Sequence, residues 1–327
     1  MSVQSPRAAL TKQFPAPVQK IDPAERWRRL LMWPSVIPLL LWMIVPLAFT
    51  IYFSLVRYSL LNPSDSAPLE FNLFGWNVQI PTHEFTGFEN YQFLVGDANF
   101  WPAILNTLIF IGAVLIISVV VGVLLAVLYD QDLFGKNIAM LLVIAPFFVM
   151  PTVSSLIWKN MIMDPNSGTI ALLLRSLGLQ PIAWFTDYPL LSVIVIVSWE
   201  WIPFSFLILV TALKSLDQEQ KEAAAIDGAG PFTKFRYIIL PHLEKAIGVV
   251  VMIEMIFLLS IFAEIYTTTG GGPGNATTTL AYLVYSLGLQ QFDAGIASAG
   301  GILAVILANI VSIFLVRMLA KNLSQSR

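Results

Sequence analysis

The chain has 327 residues, of which 57% are hydrophobic and only 12% are charged. A soluble domain of this length would carry about 25% charged residues, so the composition excludes an ordinary soluble protein and predicts a surface that faces lipid. The absence of cysteine excludes disulfides and thiol catalysis, and the two distant histidines, His83 and His242, argue against a histidine-based metal centre. The net charge of −2 gives no indication of a nucleic-acid partner, because the charges are segregated along the chain.

Six hydrophobic stretches are long enough to be membrane helices, since about 20 mostly apolar residues are needed to cross the hydrocarbon core. We therefore predict an all-α membrane protein whose transmembrane domain occupies residues 30–320. The predicted helices cover approximately residues 33–56, 101–129, 138–160, 189–213, 246–268 and 295–317. The first stretch is too long for the core of a signal peptide and lacks a cleavage site, so we predict that it is retained.

Lysine and arginine are distributed unevenly between the two sides that these helices would define. Fifteen of the 18 lie in the two terminal segments, in the loop between the second and third helices, and in the loop between the fourth and fifth. The opposite side has only Arg57, Lys159 and Arg175. Because positive residues concentrate on the cytoplasmic side, we predict that both tails (residues 1–29 and 321–327) are cytoplasmic.

The first external segment, residues 57–97, is acidic and aromatic. We expect a short amphipathic helix around Glu89–Leu94 within it. The aromatic side chains of this segment fit either a belt at the membrane surface with a packed loop or a dedicated docking site, and the sequence leaves both open.

The longest predicted cytoplasmic connection, residues 214–245, carries the local signals of two short helices. Asp217, with Gln220 three residues later, predicts a capped helix start, and Gly228 predicts the end of that helix. Pro231 suits the first turn of a second helix, which Pro241 is expected to stop.

Phe232, Phe235 and Ile239 recur at helical spacing and give the second helix an apolar face. Two such helices, with alanines that allow close backbone approach, fit insertion into a groove on a cytoplasmic partner. They fit equally an amphipathic connector that rests on the inner leaflet, and the pattern alone does not separate the two.

The same loop resembles the EAA loop of binding-protein-dependent ABC importer permeases. The family pattern is EAA, three residues, G, nine residues, I, one residue and LP, and this chain follows it without a mismatch. The matching residues are Glu222, Ala223, Ala224, Gly228, Ile238, Leu240 and Pro241, with the common flanking residues Asp227 and Ala229. The resemblance implies the type I ABC importer permease fold and a loop that docks into paired ATPase subunits, with Glu222 and Gly228 at the coupling contact.

A second resemblance narrows the subclass. Residues 267–301 and 85–107 are similar to parts of carbohydrate-uptake permeases of the maltose and glycerol-phosphate type. The TGGGPGNAT form is similar to the first of the two permeases in such systems. The opening helix and the length look most like sorbitol and mannitol permeases.

These resemblances imply a subunit of a bacterial inner-membrane importer that is not itself an enzyme and binds no cofactor. The implied partners are a second permease subunit, an ATPase dimer that holds ATP and magnesium, and a periplasmic substrate-binding protein. The implied substrate is a sugar or polyol, with glycerol-3-phosphate or another small solute as the alternative.

Polar residues in membrane helices are costly in lipid and so indicate interior or functional positions. Glu200, flanked by two tryptophans, combines a carboxylate with the aromatic faces that commonly hold sugars, although at most two of the three can face one cavity. The predicted substrate pathway comprises Trp199, Glu200, Trp201, Glu254, Glu264 and Asn309. For Glu200, the two tryptophans and Asn309 the alternative is packing or hydrogen bonding between helices. Glu254 fits a contact with the partner permease or an inner gate, or a structural pairing with a lysine at the membrane surface, which we favour, and Glu264 is expected near the entrance.

Two other classes of function fit the sequence less well. A secondary transporter would show inverted repeats with paired broken helices, and no repeat is evident. A membrane glycosyltransferase would need clustered catalytic acids or bases at one membrane face, whereas the external acids are scattered.

Overall fold

The computed structural model describes residues 23–61, 69–73, 76–80, 84–131 and 134–325. Most of the predicted N-terminal tail and the last two residues of the C-terminal tail lie outside the described residues. The chain divides into two compact units, residues 1–49 and 50–327. The described part of the first unit is helical throughout. It belongs to helix α1 (Pro23–Ser54), which begins within the predicted tail rather than after it.

The second unit is mainly helical, as predicted, and contains one antiparallel hairpin that the sequence analysis did not predict. The hairpin pairs β1 (Leu69–Leu73) with β2 (Trp76–Ile80). The helices after α1 are α2 (Glu89–Gly96), α3 (Phe100–Asp130), α4 (Lys136–Ile144), α5 (Pro151–Ile157), α6 (Thr169–Ser176), α7 (Trp184–Asp187), α8 (Pro189–Lys214), α9 (Gln218–Ile226), α10 (Pro231–Lys234), α11 (Leu240–Leu258), α12 (Ala263–Thr268), α13 (Leu280–Tyr285) and α14 (Ala294–Gln325). Ala145–Phe148 is a 3₁₀ turn, and Trp158–Ile162, Phe235–Ile239 and Ser286–Gln290 are π-helical.

Four helical stretches are long and apolar enough to cross a membrane: Trp33–Ser54, Phe100–Asp130, Pro189–Lys214 and Ala294–Phe314. A bent pair, Lys136–Phe148 and Pro151–Ile162, would be a fifth if its halves form one span. By length and composition, the described residues therefore contain four or five of the six predicted spans.

The predicted helix at 138–160 is sharply bent, because its two halves meet at an angle of 106°. Val149 and Met150, between the halves, are extended. Pro151 accounts for the bend, since a proline drives the preceding residue out of the helical conformation and cannot donate a backbone hydrogen bond. It then starts α5 at a position that tolerates proline.

The predicted helix at 246–268 is also interrupted. It consists of the greater part of α11 and the whole of α12, with residues 259–262 between them. Neither proline nor glycine occurs in that gap, so the local sequence does not signal the break. α11 also contains three charged side chains, which make it less apolar than the other spans.

The contact between α3 and α8 is the largest between two helices of the described chain. Gly122 of α3 allows the two backbones to approach closely, since a Cβ at this position would lie 2.7 Å from the Cβ of Ser205. Buried apolar clusters around Phe110 and Phe206 lie along this contact. α8, which carries Glu200, therefore runs through the centre of the helical core.

The expected short helix in the segment 57–97 is confirmed as α2. Asn90 of α2 is buried, and its Nδ2 donates to two backbone oxygens at the end of α1 and just beyond it, at 3.0 and 2.9 Å. Leu94 is buried as well, whereas Phe93 is exposed. α2 is therefore fixed to the chain by the side that carries Asn90 and Leu94. The expected separation into a polar and an apolar face is not seen, because the buried side has one polar and one apolar residue and the exposed side includes Phe93.

Candidate functional site

The EAA-like loop (residues 214–245) begins with a capped helix. The Oδ1 of Asp217 accepts a hydrogen bond from the backbone N–H of Glu219 at 3.0 Å, which caps the first turn of α9. The predicted N-cap is therefore confirmed, although its bond goes to the second helical residue rather than to Gln220.

Gly228 ends α9 in the geometry that a Schellman motif requires. The N–H of Gly228 bonds to the carbonyl of Ala225 at 3.1 Å, and the N–H of Ala229 bonds to that of Ala224 at 2.9 Å. Gly228 has a φ of +79°, and a Cβ there would meet nothing within 4 Å. Glycine is thus favoured at this position by backbone conformation and not by lack of space.

The second half of the loop differs from the prediction. α10 continues through the π-helical segment Phe235–Ile239 directly into α11. Pro241, the second residue of α11, therefore lies inside a continuous helical stretch and does not stop it. The wider π-helical turn supplies a physical reason, because it relaxes the backbone register just before a residue that lacks an N–H.

The loop presents apolar side chains on its outer side. Ile226, Phe232 and Tyr237 are 87%, 78% and 75% exposed. Phe235 and Ile239, by contrast, pack against the core cluster around Phe206, so the predicted apolar face is divided between the core and the surface. A group of large exposed apolar residues is typical of a surface that binds another protein.

Some of the predicted motif residues are exposed at the surface, and others are half-buried. Glu222, Ala223, Asp227, Gly228 and Pro241 are exposed. The half-buried members of the motif are Ala224, Ala229, Ile238 and Leu240. The exposed members are concentrated on α9 and its C-terminal turn, next to Ile226.

A separate cavity of about 410 Å³ lies where both helix breaks meet α8. Its lining residues are Pro146, Phe147, Val149, Pro151, Glu200, Trp201, Phe257, Ser260, Ile261, Phe262, Ala263 and Glu264. The bend before α5 and the gap between α11 and α12 therefore form two of its walls. Irregular backbone at membrane depth is tolerated where it lines such a cavity.

Two buried carboxyl groups face each other at this cavity. Glu200 and Glu264 are 7% and 4% exposed, and both line the cavity. Glu200 also accepts a hydrogen bond from the hydroxyl of Ser154 on α5. A protonated carboxyl group donates a hydrogen bond and a carboxylate accepts one, so two neighbouring carboxyls can present both functions to a bound solute.

Aromatic rings form the wall beside these carboxyls. Trp201 lies with its ring centroid 5.5 Å from that of Phe257 and 6.3 Å from that of Phe147. Sequence reasoning missed both phenylalanines and Ser154. For Phe147 and Ser154 the only sequence signal was the proline pair, Pro146 and Pro151, which marks the bend between α4 and α5. Phe257, on α11, had no such signal.

The remaining predicted pathway residues are not among those that line the cavity. Trp199 packs edge-on against Trp158, with ring centroids 5.7 Å apart. Glu254 is fully buried and accepts hydrogen bonds from Ser118 at 2.5 Å and Ser205 at 2.7 Å. Asn309 is exposed and donates to the Val305 carbonyl of its own helix at 2.8 Å. Of the predicted set, the structure brings together Glu200, Trp201 and Glu264.

No metal-binding arrangement of three or more His, Asp or Glu side chains occurs in the described parts of the chain. The chemistry that the cavity offers is hydrogen bonding by carboxyl groups combined with apolar contact to aromatic rings.

Comparison with known proteins agrees with this picture. Residues 118–325, more than half of the chain, match the family described as binding-protein-dependent transport system inner membrane component. A probable ABC transporter permease protein, y4oQ of Sinorhizobium fredii, is 32% identical over 90% of both chains. The trehalose/maltose transport system permease protein MalF of Thermococcus litoralis is 34% identical over 70% of this chain and 77% of its own length.

Two further similarities concern a glycerol-phosphate system and the fold. The sn-glycerol-3-phosphate transport system permease protein UgpA of Yersinia enterocolitica is 33% identical over 68% of this chain and 76% of its own length. The crystal structure of a bacterial ABC transporter involved in the import of the acidic polysaccharide alginate contains a chain that superposes on this one with a TM-score of 0.72. It covers 91% of this chain and 96% of that one at 21% identity, and so shows the shared fold.

The relatives are permeases, which are the membrane subunits of ABC transporters, and ATP hydrolysis is carried out by a separate subunit. This chain belongs to the family of binding-protein-dependent transport system inner membrane components, the permease subunits of ABC transporters.

Proposed function

We propose that this chain is a permease subunit of an ATP-driven importer of a neutral sugar or polyol in the bacterial inner membrane, with sorbitol- or mannitol-like polyols favoured. The observation that carries the proposal is the cavity at Glu200, Trp201 and Glu264. Its volume of about 410 Å³ falls within the range of about 300–1,000 Å³ that is usual for small-molecule pockets.

The lining chemistry supports a neutral, hydroxyl-rich solute. The carboxyl groups of Glu200 and Glu264 can donate to and accept from hydroxyl groups, and the rings of Trp201 and Phe257 offer apolar faces to C–H groups. No lysine or arginine is among the lining residues. A phosphate ester or an acidic sugar would therefore meet two carboxyls without a compensating positive charge, which disfavours the glycerol-phosphate alternative.

We further propose six membrane crossings with both termini in the cytoplasm. The distribution of lysine and arginine supports this orientation. α11 and α12 would together form a broken fifth span, and the bent pair α4–α5 would form the third. The EAA-like loop would then lie on the cytoplasmic side.

The proposed partners follow from this placement. α9 and its Gly228 turn would dock into an ATPase dimer, a second permease would complete the pathway, and a periplasmic protein would deliver the substrate. This assignment is supported by the similarity to permeases of trehalose/maltose and glycerol-phosphate transport systems. It is also supported by the alginate transporter, which has been solved in complex with a periplasmic protein that holds an alginate pentasaccharide. ATP and magnesium would be held by the ATPase and not by this chain.

The test is uptake and ATP hydrolysis by the complete complex in proteoliposomes with its binding protein. The panel contains hexitols, monosaccharides, disaccharides and glycerol-3-phosphate. We expect one neutral polyol or sugar to stimulate both uptake and hydrolysis. Stimulation by glycerol-3-phosphate alone would contradict the neutral-solute proposal, and hydrolysis without uptake of any panel member would contradict the carbohydrate class.

A further inference from the structure

α9 is joined to the remaining helices by one ion pair. Of its nine residues, only Lys221 and Ala224 are half-buried, and the other seven are exposed. The Nζ of Lys221 donates to both carboxylate oxygens of Asp130, at 2.9 and 2.7 Å. Within the described residues, this is the only side-chain hydrogen bond or ion pair between α9 and another helix.

The ion pair is better protected from water than the other ion pairs of the described residues. The side chains of Lys221 and Asp130 are 19% and 26% exposed. Those of Arg57 and its partners Glu84 and Glu89 are all more than 60% exposed. Since solvent screening weakens exposed ion pairs, the attraction between Lys221 and Asp130 is expected to be stronger than that between Arg57 and its two partners.

Asp130 is the last residue of α3, a continuous helix of 31 residues. At a rise of 1.5 Å per residue, α3 is about 46 Å long, which is enough to cross a membrane completely. Along its length it is held to α8 through the close approach at Gly122, and to α11 through the bond from Ser118 to Glu254. A displacement of its Asp130 end would therefore carry neighbouring helices with it.

The opposite end of α3 holds the glycine-rich loop, residues 270–278. Asn106 donates from Nδ2 to the carbonyl oxygens of Asn275 and Thr278, at 3.2 and 3.1 Å. Asn275 in turn donates to the side chain of Asn99, which precedes the first residue of α3, at 2.7 Å. One helix thus contacts α9 at one end and the glycine-rich loop at the other.

We propose that the ion pair between Lys221 and Asp130 is the mechanical link through which α9 moves α3 and, with it, the glycine-rich loop on the far side of the membrane. Both are positioning residues that transmit motion, and neither contacts substrate. The proposal rests on the proposed function of the EAA-like loop as the ATPase contact. A single ion pair fixes where α9 is attached and leaves its angle free, which suits a helix that must follow a moving partner.

The test compares Lys221→Gln, Asp130→Asn and the charge-exchanged double variant Lys221→Asp with Asp130→Lys. Lys245→Gln is the matched control, because Lys245 is exposed and forms no ion pair with the described residues. Each complex is measured for co-purification of the ATPase, for ATP hydrolysis and for uptake. The decisive quantity is the uptake per ATP hydrolysed.

We expect both single variants to retain the ATPase and hydrolysis but to lose about 10-fold in uptake per ATP, within the usual size of a coupling effect. The charge exchange should restore at least part of that loss. Lys221→Arg, which keeps the charge and can bind a carboxylate through two nitrogens, should retain coupling even if the double variant does not fold.

Unchanged uptake per ATP in Lys221→Gln would overturn the proposal. Loss of the ATPase from both single variants would also overturn it, since the pair would then serve only docking. Intact uptake in a complex that carries Gly228→Pro alone would instead contradict the proposed function of the loop, whatever the result at Lys221.

Discussion

At the scale of single residues, three glutamates in the predicted membrane helices have two different environments. Glu254 is enclosed where α3, α8 and α11 meet, with a serine hydroxyl from each of the first two helices donating to it. Glu200 and Glu264 instead face a cavity that a solute can occupy. Identical side chains in similar hydrophobic stretches are therefore expected to differ in role.

Glu254→Leu should lower stability by about 1–2 kcal/mol, because the hydroxyls of Ser118 and Ser205 lose their acceptor inside the helix bundle. Glu254→Gln, which keeps an acceptor oxygen, should lose less. The measurement is the melting temperature of the purified complex in detergent, with Asp187→Asn at the exposed end of α7 as the control. A stable Glu254→Leu complex with altered substrate choice would place Glu254 in the pathway and contradict this role.

Glu200→Gln should reduce uptake by about 10-fold or more, since a hydrogen bond to a charged group contributes about 1.5–3 kcal/mol. Assembly with the ATPase should be unaffected, because Glu200 lies at the cavity, about 21 Å along α8 from the start of the EAA-like loop. Uptake kinetics over a range of substrate concentrations provide the measurement. Trp199→Phe is the neighbouring control, since Trp199 does not line the cavity. Loss of assembly in Glu200→Gln would indicate a structural role instead.

At the scale of elements, the turn after α9 depends on one backbone conformation. Gly228→Pro should abolish uptake while the protein stays in the membrane, because proline requires a φ near −65° and lacks the N–H that bonds to Ala225. Gly228→Ala should be milder, at about 1–2 kcal/mol of local strain. Uptake at matched expression levels is the measurement.

Gly230 supplies the control for that experiment. Its φ is −67°, it stands at the N-cap of α10, and a Cβ there would meet nothing within 4 Å. Gly230→Ser should therefore preserve uptake, since serine suits an N-cap. Normal uptake in Gly228→Pro, or equal damage from both substitutions, would show that the turn conformation is not what matters.

The two broken helices differ in whether nearby residues predict the break. The bend between α4 and α5 is followed directly by Pro151, and the rule that a proline drives the preceding residue out of the helical conformation recovers it. The gap between α11 and α12 has no such residue, and its conformation depends on the surroundings of residues 259–262 in the bundle. Only the bend between α4 and α5 could therefore be predicted from neighbouring residues, although both breaks form walls of the cavity.

At the scale of the second unit, two sites are arranged around the same pair of helices. The cavity is built on α8, and the link to α9 is built on α3, which packs along α8 over the largest helix contact of the described chain. Movement at the EAA-like loop and rearrangement at the cavity are therefore expected to be coupled through this contact. Substitutions at the interface, such as Gly122→Leu, would force the two backbones apart.

The sequence by itself determined the features that depend on neighbouring residues: the long apolar stretches, the short helix α2, the cap at Asp217 and the turn at Gly228. Each follows from hydropathy, hydrogen-bonding capacity or backbone conformation over a few residues. The EAA pattern identified the family for the same reason, since its residues lie in one continuous loop.

Only the tertiary structure decided which polar residues meet. It brought Glu200 and Glu264 together from helices 64 positions apart in the sequence, and it placed Trp201 at the cavity while turning Trp199 towards Trp158. It also joined Lys221 to Asp130 across 91 positions. Hydropathy records the cost of leaving a polar group in lipid but not the partner that relieves this cost, because the partner is chosen by the packing of distant helices.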